Sequence, residues 1–209
     1  IHSLKSFIIR GSKGRHNVSL NFNQAIGHDL KDIKKLSKYI CYSFNPYQLE
    51  IWLNRHNDWD SEGCLVIFLP SLKKMKVLSN LKLNFGQYRN FKANTLRNFA
   101  RKLPILSKFH LNICQNREMN PDDIRRFARG LMYQVNLTDL DLDLAGMNPS
   151  TESLVELISK MEYLRKKIQH LKLNICQMGS LNKRGMDRFS GFLKKLEVLQ
   201  SLNLDLSLC

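Results

Sequence analysis

Little in this sequence points to covalent cross-linking, membrane insertion or catalysis. It has five cysteines, Cys41, Cys64, Cys114, Cys176 and Cys209. Their number is odd, their spacing wide, and no C-x-x-C occurs, so neither a disulfide framework nor a zinc site is read from them. A reducing, intracellular home is expected, with cytoplasmic and mitochondrial placement both open. The N-x-S/T triplets at Asn17 and Asn136 would matter only in a secreted chain. The longest apolar run, Cys64 to Leu69, is far short of the ~18 residues of a membrane span. Gly11-Ser12-Lys13-Gly14 lacks the spacing of a phosphate-binding P-loop, and the histidines show no ligand spacing. No serine sits in a nucleophile-elbow context. Catalytic residues, metal and cofactor are therefore expected to be none.

Acidic residues are also scarce. Thirty-three Lys and Arg stand against eighteen Asp and Glu, a formal charge of +15 on 209 residues. That balance favours anionic partners, such as RNA, an acidic protein surface or an anionic lipid layer. A place inside a larger assembly accounts for it equally well. From His2 to Arg15 there is no acid at all. Residues 1–17 are set apart as a basic N-terminal segment, which would suit the tail of an organellar transit region.

What is present is a repeat. Leu78-x-x-Leu81-x-Leu83-x-Phe85 is followed by Leu106-x-x-Phe109-x-Leu111-x-Ile113, then by Leu137-x-x-Leu140-x-Leu142-x-Leu144. Ile168-x-x-Leu171-x-Leu173-x-Ile175 and Leu199-x-x-Leu202-x-Leu204-x-Leu206 complete the series, with steps of 28, 31, 31 and 31 residues. Leu49-x-Ile51-x-Leu53 and Val18-x-Leu20-x-Phe22 continue it towards the N-terminus without the leading leucine. Alternation with period two marks short strands with one buried face, near 18–22, 49–53, 81–85, 109–113, 140–144, 171–175 and 202–206.

Helical stripes lie between them. Leu30, Ile33, Leu36 and Ile40 form one. Ile124, Phe127, Ala128 and Leu131 form the next, then Leu154, Leu157, Ile158 and Met161. Met186, Phe189, Phe192, Leu193 and Leu196 form the last. Pro70 and Pro104 are expected to close two helices.

One strand-plus-helix unit cannot bury its own apolar face, and stacked units can. The expected fold is α/β: a curved solenoid over residues 18–209, parallel strands on the concave face and helices on the wider convex face. A doubly wound sheet also alternates strands and helices. Constant spacing and four successive copies of one string disfavour it.

These strings resemble the leucine-rich-repeat family, in its ribonuclease-inhibitor-like subclass of long repeats with a full helix. The common pattern LxxLxLxxN is altered: an extra apolar residue follows each strand (Phe85, Ile113, Leu144, Ile175, Leu206), Asn148 stands in a fitting place for the later Asn in one repeat, and Gly86, Gln115 and Gln177 blur that register elsewhere. The variant is similar to repeat proteins of protists with AT-rich coding composition, which the many Lys, Asn, Ile and Phe fit. The resemblance implies an interaction fold that binds through its concave face, and says little of which partner.

Two surfaces follow as candidates. On the concave face one row reads Ser19, Glu50, Lys82, His110, Asp141, Lys172, Asn203, and a second Asn21, Trp52, Asn84, Asn112, Asp143, Asn174, Asp205. A polar groove for an extended peptide or partner loop is one reading, and simple solvation of the sheet is the other. Trp52 is the candidate contact anchor.

On the convex side, Arg125, Arg126, Arg129, Arg165, Lys166, Lys167, Lys183, Arg184 and Arg188, with Lys194 and Lys195 beside them, form a basic patch for structured RNA, anionic lipid or an acidic protein. Cations at helix C-termini also complement the macrodipole. Phe99, Phe127, Phe189 and Phe192 fall on apolar stripes, so base-stacking recognition of RNA is not expected. Asp139-x-Asp141-x-Asp143 could hold a divalent cation, but Lys172 and His110 stand ready to balance it. Cys114 and Cys176 hold the same place just after a strand and read as packing residues. The C-terminal end lacks a polar cap, so it is expected to be covered by a partner or by further sequence. The functional expectation is a non-catalytic protein-interaction scaffold or accessory subunit. The alternatives are an RNA-contacting subunit of a ribonucleoprotein and a peripheral subunit on an organellar membrane.

Overall fold

The computed structural model describes residues 7–12, 15–22, 30–53, 61–86, 103–115, 121–147, 151–176 and 182–207. Phe99, Asn148, Gln177 and Cys209 lie outside them. The described chain is α/β, with one eight-stranded sheet whose strands follow sequence order. The strands are β1 (Phe7–Ser12), β2 (Arg15–Asn21), β3 (Gln48–Trp52), β4 (Asn80–Asn84), β5 (Lys108–Asn112), β6 (Asp139–Asp143), β7 (His170–Asn174) and β8 (Ser201–Asp205). From β2 to β8 every neighbour pair is parallel.

β1 pairs antiparallel with β2, so the stretch before residue 18 contributes a strand and the start of another. From β3 onward, each strand opens one residue before the apolar segment read from the sequence. The extra position is hydrogen-bonded through the turn ahead of it: the Ser107 carbonyl accepts the amides of Thr138 and Asp139, and that of Thr138 accepts those of Gln169 and His170.

The helices described are α1 (Leu30–Tyr39), α2 (Ser61–Leu72), α3 (Pro121–Leu131), α4 (Thr151–Met161) and α5 (Lys183–Leu193). A single wide turn, Ile40–Phe44, extends α1 until Asn45 enters the left-handed region at φ 40°. Parallel neighbours need a crossover, and a helix supplies one while burying its apolar stripe. Ile124, Phe127, Ala128 and Leu131 on α3, and Leu154, Leu157, Ile158 and Met161 on α4, are all buried with the strand leucines.

Two helical expectations are corrected. Pro70 lies inside α2, which runs on to Leu72. A proline so near the end forfeits one amide bond, while Leu72 continues into the core and the Lys73 amide still reaches the Leu69 carbonyl. Met186 points outward, because Gly185 takes the buried position beside α4.

The core continues from Val18 to Leu196. At the β8 end it thins: Leu202 is 44% exposed, whereas its register partner Leu171 is 1%. Leu204 and Leu206 are only partly buried. The helix layer differs there. In chain register Arg188 of α5 stands where α4 has Leu157, so an exposed cation replaces a buried leucine.

Candidate functional site: the exposed face of the sheet

Strand register puts both expected rows side by side: Ser19, Glu50, Lys82, His110, Asp141, Lys172 and Asn203 in one, Asn21 through Asp205 in the other. It adds a third row that the sequence reading missed, formed by the residue that opens each strand: Gln48, Asn80, Lys108, Asp139, His170 and Ser201. The signal was available, because this residue sits just ahead of the second leucine of every string. An open groove of about 420 Å³ crosses this face, with Lys82, Lys108, His110, Asp139, Asp141 and Lys172 in its wall.

The charges of the groove are paired across strands. Lys82 Nζ lies 2.8 Å from Glu50 Oε1 and 4.9 Å from the centre of the Trp52 ring. Lys108 Nζ lies 2.8 Å from Asp139 Oδ1. His110 Nδ1 is 2.6 Å from Asp141 Oδ2, which Lys172 Nζ approaches at 3.4 Å. Burial works against the Asp141 carboxylate, but the hydrogen bond and charge of His110, with Lys172 behind them, hold its pKa below the ordinary carboxylate value. Asp139 is held low in the same way: burial opposes it, and Lys108, Thr138 and His170 outweigh burial. Such half-exposed pairs each contribute at most about 1 kcal/mol.

The second row does something else. Gly86 N–H donates to Asn84 Oδ1 at 3.3 Å, and Cys114 N–H to Asn112 Oδ1 at 3.0 Å. Ala145 N–H donates to Asp143 Oδ1, Cys176 N–H to Asn174 Oδ1 and Ser207 N–H to Asp205 Oδ1, at 3.2, 3.1 and 3.1 Å. Five successive strands thus end in the same Asx turn, in which a short polar side chain satisfies the amide two residues on. The bonds from the Ser207 hydroxyl and amide hold the Asp205 pKa low.

Asn84, Asn112, Asp143, Asn174 and Asp205, expected as exposed binding residues, therefore have a structural task that the sequence expectation did not give them, and Asn84 is itself buried. The turn also accounts for the altered repeat. At position nine, whose amide closes the turn, stand the small residues Gly86, Cys114, Ala145, Cys176 and Ser207, and at Gly86 space is short. A Cβ on Gly86 would lie 3.0 Å from Cys114 Sγ and 3.1 Å from Asn112 Oδ1. The next residue turns left-handed, at φ 60° for Gln115 and 66° for Gly146.

The three aspartates of β6 are thereby dispersed: Asp139 to Lys108, Asp141 to His110 and Lys172, Asp143 to its own turn. Among the described residues no group of three His, Cys, Asp or Glu could hold a metal ion. His110 and Asp141 form an imidazole–carboxylate pair, but among the described residues the imidazole bonds to no hydroxyl or thiol.

The basic patch expected on the helices is divided. On α3, Arg125 pairs with Asp122 at 3.2 Å, Arg126 is half-buried, and Arg129 reaches Glu156 of α4 at 3.7 Å. Arg165, Lys166 and Lys167 lie in the turn after α4, where Arg165 approaches Glu197 at 3.8 Å and Lys167 donates to the Val135 carbonyl. Lys183, Arg184 and Arg188 are exposed on α5.

No protein-family model matches the sequence, and no curated protein matches it. Among solved structures, the tropomodulin C-terminal domain of Caenorhabditis elegans matches with a TM-score of 0.54, over 81% of this chain and 93% of that one, at 12% identity. At that identity the likeness is one of fold, and the fold is of the leucine-rich-repeat type.

Proposed function

We propose that the chain is a non-catalytic protein-interaction scaffold, a stack of the ribonuclease-inhibitor-like kind that holds partners within a larger assembly through its sheet face. The observation that carries this reading is the open groove walled by Lys82, together with the half-buried Trp52 ring over which that Lys82 ammonium lies. A rigid aromatic beside charges that are already paired makes a contact anchor at little desolvation cost. The residues of the sheet face that serve this role are Lys82, His110, Asp141, Lys172 and Asn203 in the groove, with Glu50 and Trp52 beside it. Trp52→Ala combined with Lys82→Glu should abolish capture of native partners in a crosslinking pull-down and leave the circular dichroism melt within a few degrees of wild type. Retained capture would move the interface off this face.

The partly exposed leucines of β8 support a second element of the proposal: a partner covers this end of the sheet in the assembly.

A further inference from the structure

We infer that the turns that lead into strands β3 to β8 form a separate binding edge, whose partner is single-stranded RNA. The turns are residues 40–47, 73–79, 103–107, 132–138, 162–169 and 194–200, and strand register stacks them in order along one side of the sheet. Contacts join them directly. Lys74 Nζ donates to the Tyr42 hydroxyl at 3.1 Å and lies 5.7 Å from that ring's centre. Lys167 bonds to the Val135 carbonyl, Lys195 Nζ to Glu162 at 3.1 Å, and the Glu197 amide to the Arg165 carbonyl at 3.3 Å.

Two properties coincide on this edge. The first is charge: Lys73, Lys74, Lys76, Arg165, Lys166, Lys167, Lys194 and Lys195 stand against Glu162 and Glu197 alone. The second is aromatic exposure. Tyr42, Tyr133 and Tyr163 are 69%, 60% and 66% exposed, and Val77, Ile105, Val135 and Val198 are exposed beside them. The sequence places the phenylalanines in the core and so argues against base stacking, but the tyrosines are outside.

The helix macrodipole accounts for a lysine at a helix C-terminus. It does not account for the exposed aromatic rings on the same edge. Cations that track a phosphate chain, interleaved with flat rings on which bases stack, are the requirements for a single strand of nucleic acid. RNA presents such unstacked bases in its loops, bulges and ends. A lipid-binding surface would set Trp, Phe or Leu along one face of an amphipathic helix, and here the exposed rings are tyrosines on turns.

The test is the titration of a fluorescein-labelled twenty-nucleotide oligouridine with the 209-residue chain, followed by anisotropy. The affinity should fall with salt, by about 0.7 log units per decade for each phosphate neutralised. Reversing Lys73, Lys76, Lys166 and Lys194 together to Glu should weaken binding at least about 100-fold. Tyr133→Ala and Tyr163→Ala should each cost about 5- to 100-fold, with Tyr163→Phe close to wild type. None of these exposed changes should move the thermal melt by more than a degree or two.

Equal affinity for an RNA duplex, or binding indifferent to the Tyr→Ala changes, would overturn the inference. So would binding lost on Arg184→Glu with Arg188→Glu but kept in the turn variant, or flotation on phosphatidylserine vesicles without oligouridine binding. Trp52→Ala with Lys82→Glu leaves RNA binding intact, so failure of the sheet-face reading and failure of this one are told apart.

Discussion

The exposed sheet face and the turn edge are two sides of the same stack, and they treat charge in opposite ways. On the sheet face Lys82, Lys108 and Lys172 stand opposite Glu50, Asp139 and Asp141, and each is within 3.4 Å of a carboxylate. On the turn edge eight cations meet two glutamates, and Tyr42, Tyr133 and Tyr163 are exposed on the same edge. Parallel strands ~4.8 Å apart hold charges so close that an unbalanced row would repel itself. Turns project into water, where high dielectric and salt make the same imbalance cheap. The net charge of +15 says nothing about this partition. The sheet face therefore presents charges that are already neutralised in pairs, whereas the turn edge carries an unbalanced positive charge.

The largest effect should come from the inner side of the strands. Leu142→Ala, between Asp141 and Asp143 but facing the core, should cost about 2–5 kcal/mol in urea unfolding, because it removes a fully buried leucine. A smaller loss there would mean that β6 is less tightly packed than its neighbours. Next come the Asx turns. Asn112→Ala or Asn174→Ala should each cost about 1 kcal/mol by leaving the Cys114 or Cys176 amide without its acceptor. Asn112→Asp keeps the acceptor and should stay near wild type. If the alanine variants are neutral, the second row is merely solvated and regains its place as a candidate binding row.

Acid should distinguish the two regions next. Asp139 and Asp141 have folded-state pKa values below those of the unfolded chain, so the stability they contribute is present above about pH 4 and is lost as pH falls through the lowered values. Melts from pH 7 down to 2 should show that loss in wild type. It should be smaller in Asp139→Asn with Asp141→Asn. The smallest effect belongs to the turn edge. Lys166→Glu or Lys194→Glu should change stability by no more than about 0.5 kcal/mol. A larger change would show that this edge, too, is structural.

The parts of the fold legible in the sequence are those that depend on period alone. Alternation in Leu140, Leu142 and Leu144 identified a strand and its buried face. The repeat steps of 28 to 32 residues identified which residues lie side by side, so Glu50, Lys82, His110, Asp141 and Lys172 are legible as one row from the strings alone. Local geometry was not legible. The choice of Asn112 and Asn174 between solvent and a backbone amide depends on the turn that follows, and Pro70 is tolerated because α2 is already ending in the core. Tyr133 and Tyr163 belong to no strand and no helical stripe, so no periodicity revealed them.

The sequence by itself determined the repeat, the buried side of the strands from β2 to β7 and the register of the rows on the other side. These follow from covalent spacing and from the transfer of apolar side chains out of water, and both are local or periodic. Only the tertiary structure decided which charges cancel, which polar side chains turn back on the backbone and which turns gather into one edge. Those outcomes depend on distances of a few ångströms between residues about thirty positions apart, and a distance of that kind is fixed by stacking rather than by composition.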